Sequence, residues 1–268
     1  MRNFPTAALG ISLALLVVGP VSSPKAQTSA ADAVRKPVVV ELFTSEGCST
    51  CPPADVLLQK LEEMQPVAGA EIIPLEEHVD YWNHDGWIDP YSSQEWTARQ
   101  LTYQTLFKKD IYTPQFVVDG NTELVVSSPH AAVVELEKAT QRAKAAVSIT
   151  AGQSEEHGSQ HFTVSVGKLE GNTGGDPAEV WLAVTEDGLH NSVSRGENAG
   201  RVLNHVATLR SLHKIGVADA AGASASFTGD ALVKLKSDWD LAKVHVTVFV
   251  QKKKSREILG AASIRIKS

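Results

Sequence analysis

The chain has 268 residues, 25 Lys and Arg against 31 Asp and Glu, and only two cysteines. That length supports a substantial core without cross-links, and one cysteine pair excludes a small scaffold held by many disulfides. Mild acidity without a broad basic surface argues against a nucleic-acid partner, since nothing is in place to neutralise phosphate.

In chain order, residues 1–33 have the shape of a signal peptide and flexible N-terminus. Arg2 supplies a positive start, residues 7–18 form an apolar run, and small residues follow with cleavage points near Ser23, Ala26 or Ala31. The run is shorter than the roughly 20 apolar residues that span a bilayer, and no later segment reaches that length. No stable membrane span is therefore expected after cleavage, with an uncleaved anchor as the alternative. The expected location is periplasmic or secreted.

Residues 36–43 read as a buried strand and residues 54–64 as a helix with Leu57, Leu58 and Leu61 on its apolar stripe. A second strand is expected at 71–75, with Pro74 marking an edge or an end. A helix follows over 93–107, then an extended run at 112–118, a turn at 119–121 and a hairpin partner at 123–126. Ser128-Pro129 opens a helix running to about residue 145. The second half changes period: 147–150, 162–166, 180–184, 201–209, 244–250 and 258–266 read as strands, and 155–160 and 218–226 as loops. Lys252 to Lys254 and Arg256 suit a charged hairpin turn. The expected fold class is α+β, an N-terminal α/β domain (34–145) followed by an antiparallel β-sandwich-like domain (146–268).

Cys48 and Cys51 stand three apart between the first strand and the first helix, the setting in which a CxxC pair becomes a redox candidate. A thiolate is the nucleophile in exchange, so its environment decides the chemistry. If the helix begins within 49–52, Cys48 sits at its N-terminus and Cys51 lies a turn inward as resolving thiol. Pro52 and Pro53 oppose this, because neither has an N–H and a later or distorted helix start follows. Glu41 and Glu46 can shuttle a proton or repel a thiolate.

Residues 38–55, taken with 112–120, resemble the thioredoxin superfamily, in which a CxxC at a strand-to-helix turn faces a cis-proline. The resemblance implies Cys48 as attacking thiol, Cys51 as resolving thiol, Pro114 as the cis-proline and Thr113 before it. Through ELFTSEGCSTCPPAD, HVDYWNHDGWIDPYSS, YTPQFVVDG and SRGENAGRVLNH the whole mature chain resembles a family of exported bacterial proteins, DUF1223. It differs from typical thioredoxins in Gly47 before the first cysteine, in Glu41 one residue out of phase with the usual buried carboxylate, and in a longer span from Cys51 to Pro114.

That longer span holds residues 76–91, dense in Trp, Tyr, His and Asp. Trp82, Trp87 and Tyr91 can form a substrate lip over Cys48, or a loop that packs its own aromatics. His78, Asp80 and His84 can join the cysteines around copper or zinc, although their spacing matches no tight metal signature. His190, His205 and His245 read as solvated or hydrogen-bonded sheet residues. The stretch 194–201 reads as a Glu/Arg-braced turn or as a segment that orients a partner. Phosphate-binding and serine-hydrolase motifs are absent, so no cofactor is expected.

The leading expectation is an exported thiol–disulfide oxidoreductase-like protein acting on a protein or small-molecule thiol or disulfide. The alternatives are a non-enzymatic binding module with a structural disulfide, or a copper- or zinc-binding protein.

Overall fold

The computed structural model describes Met1 and residues 35–124, 129–155, 158–169, 175–219 and 225–266. The expected signal segment, and the strand end and helix start expected within 125–128, lie outside the described residues. The first half runs β1 (Lys36–Thr44), α1 (Pro52–Met64), β2 (Ala70–His78), α2 (Gln94–Phe107), β3 (Gln115–Val118), β4 (Thr122–Leu124) and α3 (Pro129–Thr140). The second runs β5 (Val147–Glu155), β6 (Ser159–Gly167), β7 (Ala178–Glu186), β8 (Leu189–Ser192), β9 (Val202–His205), β10 (Thr208–Ala218), β11 (Ala225–Lys234), β12 (Val244–Lys252) and β13 (Ile258–Arg265). The single strand expected over 201–209 is two, because Ala207 takes a left-handed conformation (φ 48°) between β9 and β10.

The structure overturns the expected fold class of a thioredoxin-like α/β domain followed by a sandwich. One mixed eight-stranded sheet, in the order β13-β12-β7-β10-β2-β1-β3-β4, takes its strands from both halves. Strands β11, β6 and β5 form a three-stranded sheet and β8 and β9 a two-stranded one. Alternation along a strand says which residues are buried but not which strand lies alongside, and this pairing joins residues far apart in sequence. Residues Val34–Ser268 gather into one compact unit.

The seam between the halves is narrow. β10 runs parallel to β2 with Thr208 opposite Glu76, and Glu76 N–H donates to Ala207 O at 2.9 Å. Pro74 does not end β2 but lies inside it, buried, opposite Val40 of β1. Two residues before Glu76, its nitrogen has the same parity and faces the β10 side, where it has no proton to donate. Further back, the Gln65 side chain bonds both Ile72 N–H (2.7 Å) and Ile72 O (3.0 Å). That edge is thus closed by a side chain and a proline, and opens to β10 only at its end.

The two faces of β1 sort by parity. Val38, Val40 and Leu42 pack with Leu57, Leu58 and Leu61 of α1 and with Ala132 and Leu136 of α3. Val39 joins Ile73, Leu75, Trp96, Leu209, Phe249 and Ile258 on the other face, a cluster that draws on both halves of the chain. A third cluster fills the space between the three-stranded sheet and β7 and β12, with Phe162, Val164, Leu182, Val246 and Val248 fully buried.

Glu41 shares the parity of Val39 and so faces α2. Arg99 of α2 approaches it (Nη2–Oε1 2.5 Å), Tyr103 Oη donates to its other oxygen (2.5 Å), and Gln251 of β12 lies 3.4 Å from Arg99 Nη1. Glu77 shares the same guanidinium, 3.3 Å from Nε, while its Oε2 is buried without a partner. Burial foremost, outweighing the Arg99 charge, holds the Glu77 carboxyl well above the usual range and favours its neutral form. Glu41→Gln strands the buried guanidinium and is expected to cost about 3 kcal/mol, whereas Glu77→Gln replaces a neutral group and leaves stability nearly unchanged. Urea denaturation of the two variants at neutral pH checks the contrast.

Candidate functional site

Cys48 and Cys51 are joined in a disulfide. The turn that carries them is held by Cys48 N–H to Ser45 O (3.1 Å) and Cys51 N–H to Cys48 O (3.2 Å). α1 begins at Pro52, with Cys51 as its N-cap residue making no side-chain capping bond. Cys51 therefore stands at the helix boundary rather than a turn inside it. Pro52 and Pro53 offer no N–H, and Ala54 and Asp55 N–H both go to Cys51 O. The helix start has no spare donor among these four residues for a thiolate at Cys48, whose sulfur lies 3.3 Å from Thr50 Oγ1. Cys48 and Cys51 are 1% and 0% exposed.

Across from this corner stands Pro114, preceded by a cis Thr113–Pro114 bond. Thr50, Pro53, Ala54, Tyr112, Pro114 and Phe116 line a groove of about 270 Å³ that joins the cysteine corner to the proline. Thr113 is tied to the insert, its Oγ1 accepting Trp82 Nε1–H at 2.8 Å. Trp82 also explains Gly47: a Cβ there would lie 2.9 Å from Trp82 Cβ, so the position before Cys48 has room for hydrogen alone.

Glu46 is the centre of the surroundings. Its carboxylate accepts from Trp87 Nε1 (2.8 Å) and Asn191 Nδ2 (2.9 Å), and His205 Nε2 lies 3.0 Å away. Its N–H donates to Asp89 Oδ2 at 2.9 Å. Asn198 Nδ2 donates to Glu46 O and Cys48 O, both at 2.9 Å, and Glu197 Oε2 accepts Ser49 N–H at 3.1 Å. The 194–201 stretch, expected as a braced turn or partner-orienting segment, thus clamps the cysteine turn. Trp82 and Trp87 are half-buried and hydrogen-bonded inward.

The two carboxylates named for proton transfer lie elsewhere in function. Glu41 is engaged by Arg99 and Tyr103 on the α2 face, and Glu46 is fully committed to hydrogen bonds. A carboxyl on the cysteine-bearing face is Asp55, one turn along α1 from Cys51, accepting Thr44 Oγ1–H at 2.6 Å. Burial first, then the charge of Glu76, pushes it up to about 7.

The histidine–acid set of the sequence separates in space. His84 is exposed beside Asp85 (3.3 Å), and Asp80 accepts from Thr97 Oγ1 at 2.6 Å. Only His78 turns inward, where its ring meets that of His205 at 4.6 Å and Asp89 Oδ2 lies 2.7 Å from Nδ1. Burial opposes charge on both rings. Asp89 and Glu76 nevertheless hold His78 well above the ordinary range, and Glu76 with Glu46 brings His205 to about 9. Burial likewise opposes charge on Glu76, yet His205 holds it at about 2. Glu76 and Asp89 lie in the aromatic and acidic stretch 76–91 and Asn198 in 194–201 without standing out there, Asp55 is a lone acid between Ala54 and Val56, and His205 reads as a solvated or hydrogen-bonded sheet histidine.

The family of proteins of unknown function DUF1223 matches residues 39–251. The chain belongs to this family. No protein of curated function matches significantly. Among solved structures, protein AGR_C_4864 from Agrobacterium tumefaciens is similar at 24% identity, covering 85% of this chain and 93% of that chain with a TM-score of 0.61. HBP35 of Porphyromonas gingivalis is similar at 19% identity over 87% of this chain and 76% of that chain, with a TM-score of 0.62. At these identities the likeness is one of fold.

Asn198 spans two carbonyls of the cysteine turn, so Asn198→Ala leaves Glu46 O without this donor and Cys48 O with Cys51 N–H alone, and loosens the clamp. The expected result is a loss of about 2 kcal/mol together with faster reduction of Cys48–Cys51 by a small phosphine, followed by alkylation and mass measurement.

Proposed function

We propose that the protein is an exported thiol–disulfide exchange protein acting on a protein or small-molecule partner. The reading rests on one observation above others: Thr50 and Pro53, close to Cys51 in the chain, line a single open groove together with Tyr112, Pro114 and Phe116. An extended segment of a partner fits such a groove beside the cysteine turn. In this reading the Cys48 thiolate attacks a partner disulfide, forming a Cys48–partner bond and releasing one partner thiolate. Cys51 then attacks the Cys48 sulfur, closes the Cys48–Cys51 bond and releases the second partner thiol. Run backwards, the same steps oxidise a partner dithiol. Pro114 shapes the docking wall, and Thr113 holds Trp82 over the turn. Kinship with the thioredoxin superfamily belongs to this proposal at the level of the cysteine–proline corner, not of the whole chain's layout.

Export is part of the reading. It is supported by the positive start and apolar run of residues 1–33 and by a disulfide, which persists in oxidising compartments. Among the described residues no helix is long and apolar enough to cross a membrane.

A second reading, a structural staple in a non-enzymatic binding module, is favoured by the burial of both sulfurs. Exchange requires the clamp of Glu197 and Asn198 on the cysteine turn to open; a staple does not. The reduction potential separates the two, because exchange proteins lie at or above about −270 mV and structural disulfides below about −300 mV. Equilibration of the mature protein with glutathione and dithiothreitol buffers is expected to give a value in the upper range. Cys51→Ser is expected to trap a mixed disulfide with a thiol partner and Cys48→Ser to trap none. A potential below −300 mV with no trapped species assigns the staple instead.

A further inference from the structure

Behind the cysteine turn lies a set of donors that thiol exchange does not use. Glu76 and His78 are two apart at the end of β2, so both point to the α1 face, and His205 ends β9. One donor atom from each lies within 4.8 Å of the other two. Glu76 Oε2 is 3.5 Å from His78 Nε2, and Glu76 Oε1 is 3.3 Å from His205 Nδ1. A tetrahedral ion with bonds of about 2.0–2.1 Å asks for donors about 3.3–3.4 Å apart; each imidazole lies near that spacing from one of the two Glu76 oxygens, and the set, all within 4.8 Å, closes inward around an ion.

The other ring nitrogens are both held by carboxylates, His78 Nδ1 by Asp89 at 2.7 Å and His205 Nε2 by Glu46 at 3.0 Å. This outer arrangement fixes the tautomer and orientation of a metal-ligating histidine. The inner nitrogen of His78 is then unusual. Nε2 is fully buried, has no hydrogen-bond partner, and is directed at Glu76. Thr208 Oγ1 donates to Glu76 Oε2 at 3.0 Å and steadies the carboxylate.

We propose that Glu76, His78 through Nε2 and His205 through Nδ1 bind a divalent first-row transition ion of the zinc class, with Asp89 and Glu46 orienting the imidazoles. Two imidazoles and one carboxylate are apt donors for such an ion, and three protein ligands leave a fourth position for water or a small ligand. Three buried carboxylates, Glu46, Glu76 and Asp89, surround the two rings, and a divalent cation offsets them. The cysteines take no part, so this site stands or falls apart from the exchange reading.

The test uses tag-free mature protein, stripped by chelator and returned to buffer, titrated with Zn2+ by calorimetry and with Co2+ by visible absorption. Expected are one ion per chain, ligand-field bands without a thiolate charge-transfer band, and a higher melting temperature with Zn2+. His78→Gln and His205→Gln are expected to weaken binding by at least about 100-fold and Asp89→Asn by about 10- to 100-fold. His84→Ala, at an exposed histidine of the same insert, leaves affinity unchanged. Should the buried histidine variants fail to fold, the wild-type titrations decide. Folded wild type that takes up neither ion at one per chain, shows a thiolate band, or loses binding with His84→Ala overturns the proposal and leaves a proton-balanced ion-pair network only.

Discussion

The surroundings of the disulfide hang on one buried carboxylate, Glu46. Its side chain is bonded by Trp87, Asn191 and His205, its N–H is held by Asp89, and its carbonyl by Asn198. Those partners come from the insert after β2, from β8, from β9 and from the loop between β8 and β9. A buried anion is stable only when its lone pairs are filled, so these segments must converge to make it tolerable. The cysteine turn, two residues away, inherits a fixed position from that requirement. Its own helix contributes little, since the two prolines at the start of α1 withhold donors.

The same logic of parity and satisfaction decides which groups can act together. On β1, Glu41 faces α2 with Val39 and Phe43, while the cysteine-bearing α1 packs on the face of Val38, Val40 and Leu42. On β2, Glu77 goes to Arg99, and Glu76 and His78 go to the opposite face. Adjacent acids in sequence thus serve separate networks, one bracing α2 against β12 and the other lying behind the disulfide.

Much of this was legible residue by residue. The apolar runs at β1, β2, β12 and β13 and the stripe of α1 marked real elements, and Glu41's parity alone would have removed it from the cysteine face. The Trp82 contact gives the departure at Gly47 a local steric cause. What the sequence withheld was partnership across distance. Nothing near Thr208 announces pairing with Glu76, and the four residues of β9 do not tell a buried histidine from an exposed one. β11 was hidden because Gly229 and Asp230 interrupt its alternation beside a Gly- and Ala-rich stretch. Fold class failed for that reason, with the local elements largely correct and their assembly wrong.

Pro74 carries a mechanical consequence. With no proton to give at that point and the Gln65 side chain occupying Ile72, β2 cannot zip along β10. The strand pairing between the two blocks of sheet is reduced to a rivet at Glu76, with a second main-chain link from Ile258 N–H to Asp119 O (2.9 Å) and apolar packing around both. Shear applied to one block therefore concentrates on few bonds, one of them at a residue whose side chain also faces His78 and His205. A strand that could bond along its full length would have spread that load and left the histidine pocket insensitive to it.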